Sequence, residues 1–277
     1  MVIFPNCKIN LGLNIIRKRE DGYHDLETVF CPLPFCDALE IITNTENAST
    51  HPVQFSATGI QIDGPEEGNL CIKAYHLLKK DFPQLPAIKM HLHKAIPMGA
   101  GLGGGSADGA FTLMLLNKKY QLNLSTNQLI NHALQLGSDC PFFIINKPSY
   151  GQGRGEVLEE INLPLHPYKL IIVNPGIHIN TGWAFSQIVP AKPLQSIKEI
   201  IQQPIETWKH TLINDFEKPV LLQYPQLQII KDQLYSKGAV YAGISGSGST
   251  FFGFFPKDQI VELDLPSTHF IKEINLS

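Results

Sequence analysis

The residues whose types and spacing best suit chemistry are glycines, in the stretch P-M-G-A-G-L-G-G-G-S-A-D-G at residues 97–109. Five of the seven residues from 99 to 105 are glycine. Glycine loses more backbone entropy on folding than any other residue, so this run indicates that backbone N–H groups approach a ligand closely. The apolar segment at residues 110–116 predicts a helix directly after it. Because a glycine loop at a helix N-terminus favours anions, we predict a phosphate site.

Two common phosphate loops do not fit this stretch. The dinucleotide pattern G-x-G-x-x-G is satisfied by Gly99, Gly101 and Gly104. Residues 88–93 before them alternate in polarity, however, whereas a Rossmann strand is apolar on both faces. Residues 110–137 contain no Asp or Glu, so the acid expected about 20 residues downstream for a ribose is missing. No Gly-Lys-Ser/Thr sequence closes the loop, which argues against a Walker A site. The glycine loop is therefore of a third type.

A second set of polar residues lies on a predicted strand near the N-terminus. Residues 7–15 alternate, with Lys8, Asn10, Gly12 and Asn14 opposite an apolar face, which predicts a half-buried strand. Asparagine is a poor strand residue, so the polar face has either a function or ordinary contact with solvent. The pattern leaves both interpretations open.

The titratable residues supply one candidate catalytic group and argue against one candidate metal site. Asp139 is the only acid between Asp108 and Glu156, so it is either a carboxylate used in chemistry or a turn-forming residue. His91 and His93 share one face of the predicted strand at residues 88–93. No third ligand lies near them in the sequence, so we expect solvated strand residues rather than metal ligands.

Length and composition limit the class of protein. The chain has 277 residues, a net charge of −3 and 43% hydrophobic residues, which predicts a globular protein and argues against a general nucleic-acid binder. Five cysteines without a C-x-x-C pair predict reduced thiols in a cytoplasmic protein. No apolar run approaches the length of a membrane span. We therefore expect neither nucleic acid nor a membrane as a partner.

The elements that must position these residues are strands interspersed with helices. Among them, the capping-box pattern at residues 125–128 predicts the start of a helix, and the apolar run at residues 142–145 predicts a short strand. Most predicted strands alternate in polarity, which indicates an α+β fold with antiparallel sheets. The glycine-rich segment at residues 151–155 predicts a flexible junction. We place a domain boundary there, between residues 1–153 and 154–277.

Three motifs together resemble those of the GHMP kinase superfamily. They are the glycine loop, P-N-C-K-I-N-L at residues 5–11 and A-G-I-S-G-S-G-S-T-F-F at residues 242–252, in the family's order over nearly the whole chain. The resemblance implies a two-domain fold, with an N-terminal domain like ribosomal protein S5 domain 2 and a ferredoxin-like C-terminal domain. It also implies phosphoryl transfer from ATP with Mg²⁺. The departures are small: Cys7 stands where alanine is frequent, and Ala107 where a second serine is common.

The acceptor follows from a narrower similarity. The motifs K-I-N-L, G-Y-H-D-L and G-S-D-C-P-F-F are similar to a branch of the superfamily that phosphorylates the 2-hydroxyl of 4-diphosphocytidyl-2-C-methyl-D-erythritol, in the non-mevalonate route to isoprenoid precursors. Another small alcohol, such as homoserine or mevalonate, is the alternative. We expect a monomer or a weak homodimer.

The same resemblance implies roles for individual residues. Asp139 is the general base, and Lys8 beside it favours the ionised carboxylate and stabilises charge on the reacting oxygen. Asp108 is expected to complement the dipole of the following helix rather than to bind the metal. The residues implied to contact the ATP phosphates are Pro97, Met98, Gly99, Ala100, Gly101, Leu102, Gly103, Gly104, Gly105, Ser106 and Ala107. The residues implied to bind the substrate are Asn10, Tyr23, His24, Thr181 and Phe185, with Tyr23 and Phe185 stacking on cytosine and His24 bonding its edge.

Overall fold

A computed structural model describes residues 1–45 and 52–276 of the chain. The strands are β1 (Val2–Ile3), β2 (Asn6–Lys18), β3 (His24–Cys36), β4 (Ala38–Thr43), β5 (Val53–Gly59), β6 (Ile88–Lys94), β7 (Ser149–Gln152), β8 (Val157–Glu160), β9 (Tyr168–Asn174), β10 (Tyr241–Ile244), β11 (Phe251–Pro256) and β12 (Phe270–Asn275). The helices are α1 (Leu70–Asp81), α2 (Gly104–Tyr120), α3 (Thr126–Leu136), α4 (Cys140–Ile145), α5 (Thr181–Ser186), α6 (Ile197–Ile200), α7 (Trp208–Thr211), α8 (Glu217–Gln223) and α9 (Gln228–Ser236).

The chain forms two compact units that interleave along the sequence. Unit 1 comprises Met1–Cys7, Phe35–Met98 and Gly103–Asn146, and unit 2 comprises Lys8–Pro34, Gly99–Leu102 and Lys147–Ser277. These units follow packing rather than chain order. The sequential division at residues 153 and 154 stays a prediction.

Unit 1 contains a four-stranded sheet with the order β1-β4-β6-β5, in which only β5 and β6 run parallel. Helix α1 begins after Asn69, whose side chain accepts a hydrogen bond from the Cys71 N–H group. Helix α3 begins with the predicted capping box, formed by Ser125 and Gln128. Helix α2 follows the glycine loop directly, as predicted.

Unit 2 contains an antiparallel sheet with the order β10-β11-β9-β12, and most of a second sheet with the order β2-β3-β7-β8. The apolar side chains of β9, β11 and helices α8 and α9 form its core. In the described ranges, no helix has both the length and the apolar character that a membrane span requires. The mixture of helices with mainly antiparallel sheets agrees with the predicted α+β class.

Strand β2 differs from its prediction, because both of its faces are buried through Leu13. Within unit 2 the polar side of the strand is covered by other parts of the chain. A Cβ atom at Gly12 would lie 2.7 Å from the Leu212 side chain, and Lys8 donates a hydrogen bond to the Gly101 carbonyl. The alternation in sequence therefore distinguishes a polar face from an apolar face, but both faces are buried and neither is the solvent-exposed face that was predicted.

The structure also corrects the prediction for residues 142–145. This apolar run belongs to helix α4 and does not form the predicted strand. Proline in the first turn of α4 suits a helix start, and Asn146 ends the helix in the left-handed conformation. A short apolar run fits a buried strand or a buried helix equally well, so periodicity alone does not distinguish them.

Candidate active site

The glycine loop contributes its middle part, Gly99–Leu102, to unit 2. Gly101 has a φ angle of 77°, and a Cβ atom there would lie 2.0 Å from the carbonyl oxygen of Ser245. The position therefore requires glycine for two reasons, conformation and space. Backbone hydrogen bonds hold the segment on both sides, from Thr250 N–H to the Ala100 carbonyl and from Lys8 N–H to the Leu102 carbonyl.

The next part of the glycine loop, in unit 1, is the start of helix α2. Gly103 is the N-cap residue with a φ angle of 70°, and as a glycine it has no side chain with which to cap the helix. The early N–H groups of a helix lack partners within the helix, and the helix dipole adds positive potential. Ser106 is the third residue of α2 and is half-buried. This arrangement suits an anion.

Lys8 and Asn10 form a buried polar network in unit 2. Lys8 is only 3% exposed, and its Nζ atom donates to Asn10 Oδ1 at 2.5 Å and to the Gly101 carbonyl at 3.0 Å. The ammonium also lies 5.6 Å from the centre of the Phe30 ring. The structure thus brings two of the predicted site residues together with the glycine loop.

Two members of this network were not predicted, Thr28 and Ser245. Thr28 Oγ1 accepts from Asn10 Nδ2 at 3.0 Å and donates to the Gly12 carbonyl at 2.6 Å. Ser245 Oγ accepts from the Asn10 N–H group at 3.2 Å and donates to the Gly101 carbonyl at 2.8 Å. Ser245 lies inside the third motif, so the sequence offered a reason to place it in the site. Thr28 lies in β3 outside the three motifs, and no sequence pattern marks it.

A second buried lysine, Lys94, lies in unit 1. Its Nζ atom donates to Asp37 Oδ2 at 2.5 Å and to Asp108 Oδ2 at 2.8 Å, and all three residues are buried. Asp37 Oδ1 also accepts from the N–H groups of Ala95 and Ile96. Burial raises the pKa of Asp108 to about 7. The paired carboxyl of Asp108 complements Lys94, a contact that the sequence did not predict.

Asp139 lies in unit 1, at the residue before helix α4. Its backbone has a φ angle of −83° and a ψ angle of −15°, and its side chain makes no capping hydrogen bond to the helix. The carboxyl is half-buried. The neighbouring Cys140 is buried, and burial raises the pKa of its thiol to about 12, so the thiol is neutral at physiological pH.

The remaining substrate residues lie in unit 2. The His24 and Phe185 rings stack with centroids 4.8 Å apart and planes inclined by 18°. Burial lowers the pKa of His24, which favours the neutral imidazole. Tyr23 is 51% exposed and contacts the Arg154 guanidinium, while Thr181 Oγ1 lies 3.1 Å from the Ser247 hydroxyl. A base between Tyr23 and Phe185 stays a prediction, and the structure adds a direct His24–Phe185 stack.

A cleft of about 610 Å³ lies within unit 1. Its wall is formed mainly by residues 55–66, and Leu92, Met98, Gly105 and Asp108 also line it. Its volume is in the range that small-molecule sites occupy in proteins. The cleft therefore adjoins the beginning of α2, and sequence reasoning did not find it.

The two histidines of β6 bond to hydroxyl groups of the neighbouring strand. Ser56 Oγ lies 2.9 Å from His91 Nδ1, and Thr58 Oγ1 lies 3.0 Å from both His91 Nε2 and His93 Nδ1. Across the part of the chain that the structure describes, no group of three His, Cys, Asp or Glu side chains could hold a metal ion.

Comparison with known proteins identifies the family. Residues 69–147 match the GHMP kinases N terminal domain, and residues 194–263 match the GHMP kinases C terminal domain. The chain is 51% identical over 265 residues to the 4-diphosphocytidyl-2-C-methyl-D-erythritol kinase of Bacteroides fragilis, covering 95% of this chain and 96% of that protein. It is 44% identical to the kinase of the same name from Cytophaga hutchinsonii, with 92% of each chain covered.

Solved structures agree with this assignment. A crystal structure of 4-(cytidine 5'-diphospho)-2C-methyl-D-erythritol kinase superposes with a TM-score of 0.78 at 30% identity, covering 93% of this chain and 91% of that chain. The Methanococcus jannaschii mevalonate kinase shares the fold at a TM-score of 0.66 and 12% identity, covering 100% of this chain and 98% of that chain. These matches confirm the predicted two-domain α+β fold and an ATP-dependent kinase, and the chain belongs to the 4-diphosphocytidyl-2-C-methyl-D-erythritol kinase family of the GHMP kinases.

Proposed function

We propose that the chain transfers the γ-phosphoryl group of ATP to the 2-hydroxyl of 4-diphosphocytidyl-2-C-methyl-D-erythritol. The observation that carries the proposal is the contact between the buried Lys8 ammonium and the Gly101 carbonyl of the glycine loop. It fixes a cation on a loop whose sequence suits phosphate. The names of relatives up to 51% identical over nearly the whole chain support this acceptor over homoserine or mevalonate.

ATP binding is assigned to the glycine loop, residues 97–107, and to the neighbouring cleft. The uncapped N-terminus of α2 would receive the phosphates. The cleft lined by residues 55–66 has the volume for the nucleoside part of ATP. Since the cleft and the start of α2 share Gly105, one bound nucleotide would occupy both.

Mg²⁺ is assigned to the ATP phosphates and not to a protein cage. Mg²⁺ keeps several waters and is usually held by substrate phosphates with one or two protein oxygens. Asp108 Oδ2 is paired with the Lys94 ammonium, while Asp108 Oδ1 is buried and, among the described residues, accepts no hydrogen bond. The half-buried Ser106 hydroxyl, at the start of α2, would supply a protein oxygen near the phosphates. When bound, the ion neutralises charge on the phosphates.

The protein groups assigned to the chemistry are Asp139 and Lys8. Asp139 would accept the proton of the acceptor hydroxyl as this oxygen attacks the γ-phosphorus of ATP. Lys8 Nζ, held by Asn10 and Gly101, would stabilise the negative charge that develops at the reacting oxygens. Neither step needs a covalent bond to the enzyme, because the phosphoryl group passes directly between the two substrates.

The cytidyl part of the acceptor is assigned to residues of unit 2. Tyr23 and Phe185 would stack on the base, and neutral His24 would bond its edge. Because His24 stacks on Phe185 in this structure, binding of the base requires the imidazole to move aside. Base–aromatic stacking contributes about 1–3 kcal/mol per base. Asn10 and Thr181 complete the assignment as polar partners of the acceptor.

We also propose that the enzyme works in the cytoplasm as a monomer or weak homodimer, without nucleic-acid or membrane partners. The net charge of −3 supports this for nucleic acids, since phosphate backbones select basic surfaces. Sedimentation velocity over a range of protein concentrations would measure the oligomeric state. Limited proteolysis with mass-spectrometric mapping of the fragments would test the proposed domain division.

Labelled ATP and purified protein test the main proposal. We expect transfer of label to 4-diphosphocytidyl-2-C-methyl-D-erythritol, and phosphorus coupling in the NMR spectrum of the product would assign the 2-position. Homoserine and mevalonate serve as comparison acceptors and should receive less than a hundredth of the label, on the order of the discrimination that polar recognition provides. No transfer to the cytidyl acceptor while ATP binds would contradict the proposal.

Substitution of Asp139 tests the assigned base. Asp139→Asn should bind ATP with unchanged affinity and lose about 10²–10⁴-fold in kcat, the usual contribution of a positioned base. Asp258→Asn, at an exposed carboxyl, is the matched control and should keep full activity. Wild-type turnover in the Asp139 variant would remove this residue from the mechanism.

A further inference from the structure

Arg154 lies against the aromatic ring that is assigned to the base, and we propose that it is a positioning residue for cytidyl recognition. It would cover one face of the Tyr23 ring and leave the other face open to the base. The inference rests on the proposed function, because it concerns the cytidyl end of the acceptor. Arg154 itself belongs to none of the three motifs that identify the family.

The contact between Arg154 and Tyr23 is direct. The guanidinium carbon lies 3.8 Å from the centre of the Tyr23 ring, which is the distance of a face-to-face contact. Tyr23 is nevertheless 51% exposed, so the contact with Arg154 leaves about half of the residue accessible. An arginine is suited to this position since its planar group stacks on aromatic faces, which an ammonium does less well.

The loop that carries Arg154 is built to hold it there. Gly153 and Gly155 on either side have φ angles of 68° and 106°, which favour glycine. The Gly153 carbonyl accepts from the Leu26 N–H group at 2.7 Å, and the Arg154 N–H group donates to Glu156 Oε2. The arginine is therefore tied to strand β3, just after Tyr23 and His24.

The backbone of Tyr23 is fixed as well. Its N–H group donates to Asp21 Oδ1 at 3.1 Å, and its carbonyl accepts from the Arg19 N–H group at 2.8 Å. Arg19 is ion-paired with Asp21 in the same turn. With the backbone held, the ring retains only its own rotations, and Arg154 restricts these. A preorganised ring costs less to order when the base binds.

A double-mutant cycle tests this inference by calorimetry. The proteins are wild type, Arg154→Ala, Tyr23→Ala and the double variant, each titrated with cytidine and with cytidine diphosphate. We expect Arg154→Ala to weaken both ligands equally, by about three- to tenfold, as the range of cation–π and ordering effects predicts. In the Tyr23→Ala background the same change should have almost no effect, because the two residues act together.

Steady-state kinetics supply a second readout. Arg154→Ala should raise KM for the cytidyl acceptor by a similar factor, with kcat and KM for ATP unchanged. Arg154→Lys should recover part of the affinity. Lys209→Ala is the matched control, because Lys209 also lies over a tyrosine of unit 2, Tyr235, with its Nζ 4.4 Å from the ring centre. It should leave both constants unchanged.

The binding and kinetic measurements can each overturn the role proposed for Arg154. A larger loss for cytidine diphosphate than for cytidine would make Arg154 a phosphate contact and overturn the inference, as would equal effects with and without Tyr23. Acceptor turnover by wild type together with an unchanged KM in Arg154→Ala would overturn the inference alone. No turnover or cytidine binding by wild type would overturn the proposed function and this inference together.

Discussion

Two buried lysines, one in each unit, show how the same side chain is held in different ways. In unit 1, Lys94 donates to the carboxylates of Asp37 and Asp108, so opposite charges balance its ammonium where it lies. In unit 2, the Asn10 amide oxygen and the Gly101 carbonyl hold Lys8. These two acceptors orient the Lys8 ammonium beside the glycine loop.

This difference separates support of the fold from chemistry. A buried cation that is paired with carboxylates is costly to remove, because its loss leaves uncompensated charges. A buried donor that is oriented beside a loop suited to phosphate can stabilise the charge that develops in a transition state. We therefore expect Lys94 to matter mainly for stability and Lys8 mainly for turnover.

The largest expected effect is that of Lys8→Met on turnover. We expect kcat to fall by about 10³-fold or more, since a preorganised donor is lost from a site where charge develops. The protein should remain folded, with a free energy of unfolding lower by about 1–3 kcal/mol for the two acceptors left without this donor. Steady-state kinetics and urea denaturation measure the two quantities. If Lys8→Met kept wild-type kcat but lost much of its unfolding free energy, Lys8 would support the fold and not the chemistry.

Lys94→Met should have the opposite profile. Two buried carboxyl groups would lose their cation, and breaking such a pair costs about 3–5 kcal/mol of unfolding free energy. Urea denaturation at pH 7 measures this loss. Lys147→Met is the control, because Lys147 and Glu160 form an ion pair that is 62% and 55% exposed, and its loss should cost less than about 1 kcal/mol. Equal losses in the two variants would show that the cluster does not support the fold.

Thr28→Val tests the hydrogen bonds that orient Asn10, the side chain that holds Lys8. The substitution keeps the shape of the side chain and removes the hydroxyl between Asn10 Nδ2 and the Gly12 carbonyl. A buried donor and a buried acceptor then lack a partner, which should lower the unfolding free energy by about 1–3 kcal/mol. We also expect kcat to fall by up to about tenfold as Asn10 loses its orientation. Unchanged kcat in a folded variant would limit the site to Lys8 and Asn10 alone.

The smallest expected effect is that of Asp108→Asn, which should change unfolding free energy at pH 7 by less than about 1 kcal/mol. Burial raises the pKa of Asp108 to about 7 in the folded protein, above the value of about 3.9 expected for the unfolded chain. Its contribution to stability is therefore complete below about pH 4 and is lost as the pH rises through 7.

The pH dependence of Tm measures this contribution directly. Between pH 5 and pH 8, the Tm of Asp108→Asn should fall less than the Tm of wild type. Asp37→Asn provides a contrast, because Asp37 also accepts hydrogen bonds from two backbone N–H groups and should cost far more stability. Parallel Tm profiles for wild type and Asp108→Asn would contradict the assigned cause.

The sequence was informative where one local property decides the structure. The glycine loop, the following helix and the capping box of α3 each depend on neighbouring residues, and each was predicted. Lys94 was missed although its pattern carried a signal. It shares the buried face of β6 with Ile88, Met90 and Leu92. A charged residue on an apolar face needs a buried partner, but Asp37 lies 57 residues away, so no local pattern identifies it.

Other features could not be read from the sequence because they depend on tertiary packing. The polar face of β2 looks the same in sequence whether solvent or protein covers it. The cleft of unit 1 depends on the path of residues 55–66, which no motif marks. The role of Thr28 depends on two hydrogen bonds that form only when β2 and β3 are adjacent in their sheet.

Gly101 has a consequence for engineering the range of alcohols that this enzyme accepts. Its carbonyl receives hydrogen bonds from both Lys8 and Ser245, and a side chain there would overlap the Ser245 backbone. A combinatorial library that varies the whole loop would discard most members at this one position before any new alcohol was tried. Diversity is better introduced at the residues that we propose bind the acceptor, such as Thr181, with residue 101 kept constant in every clone.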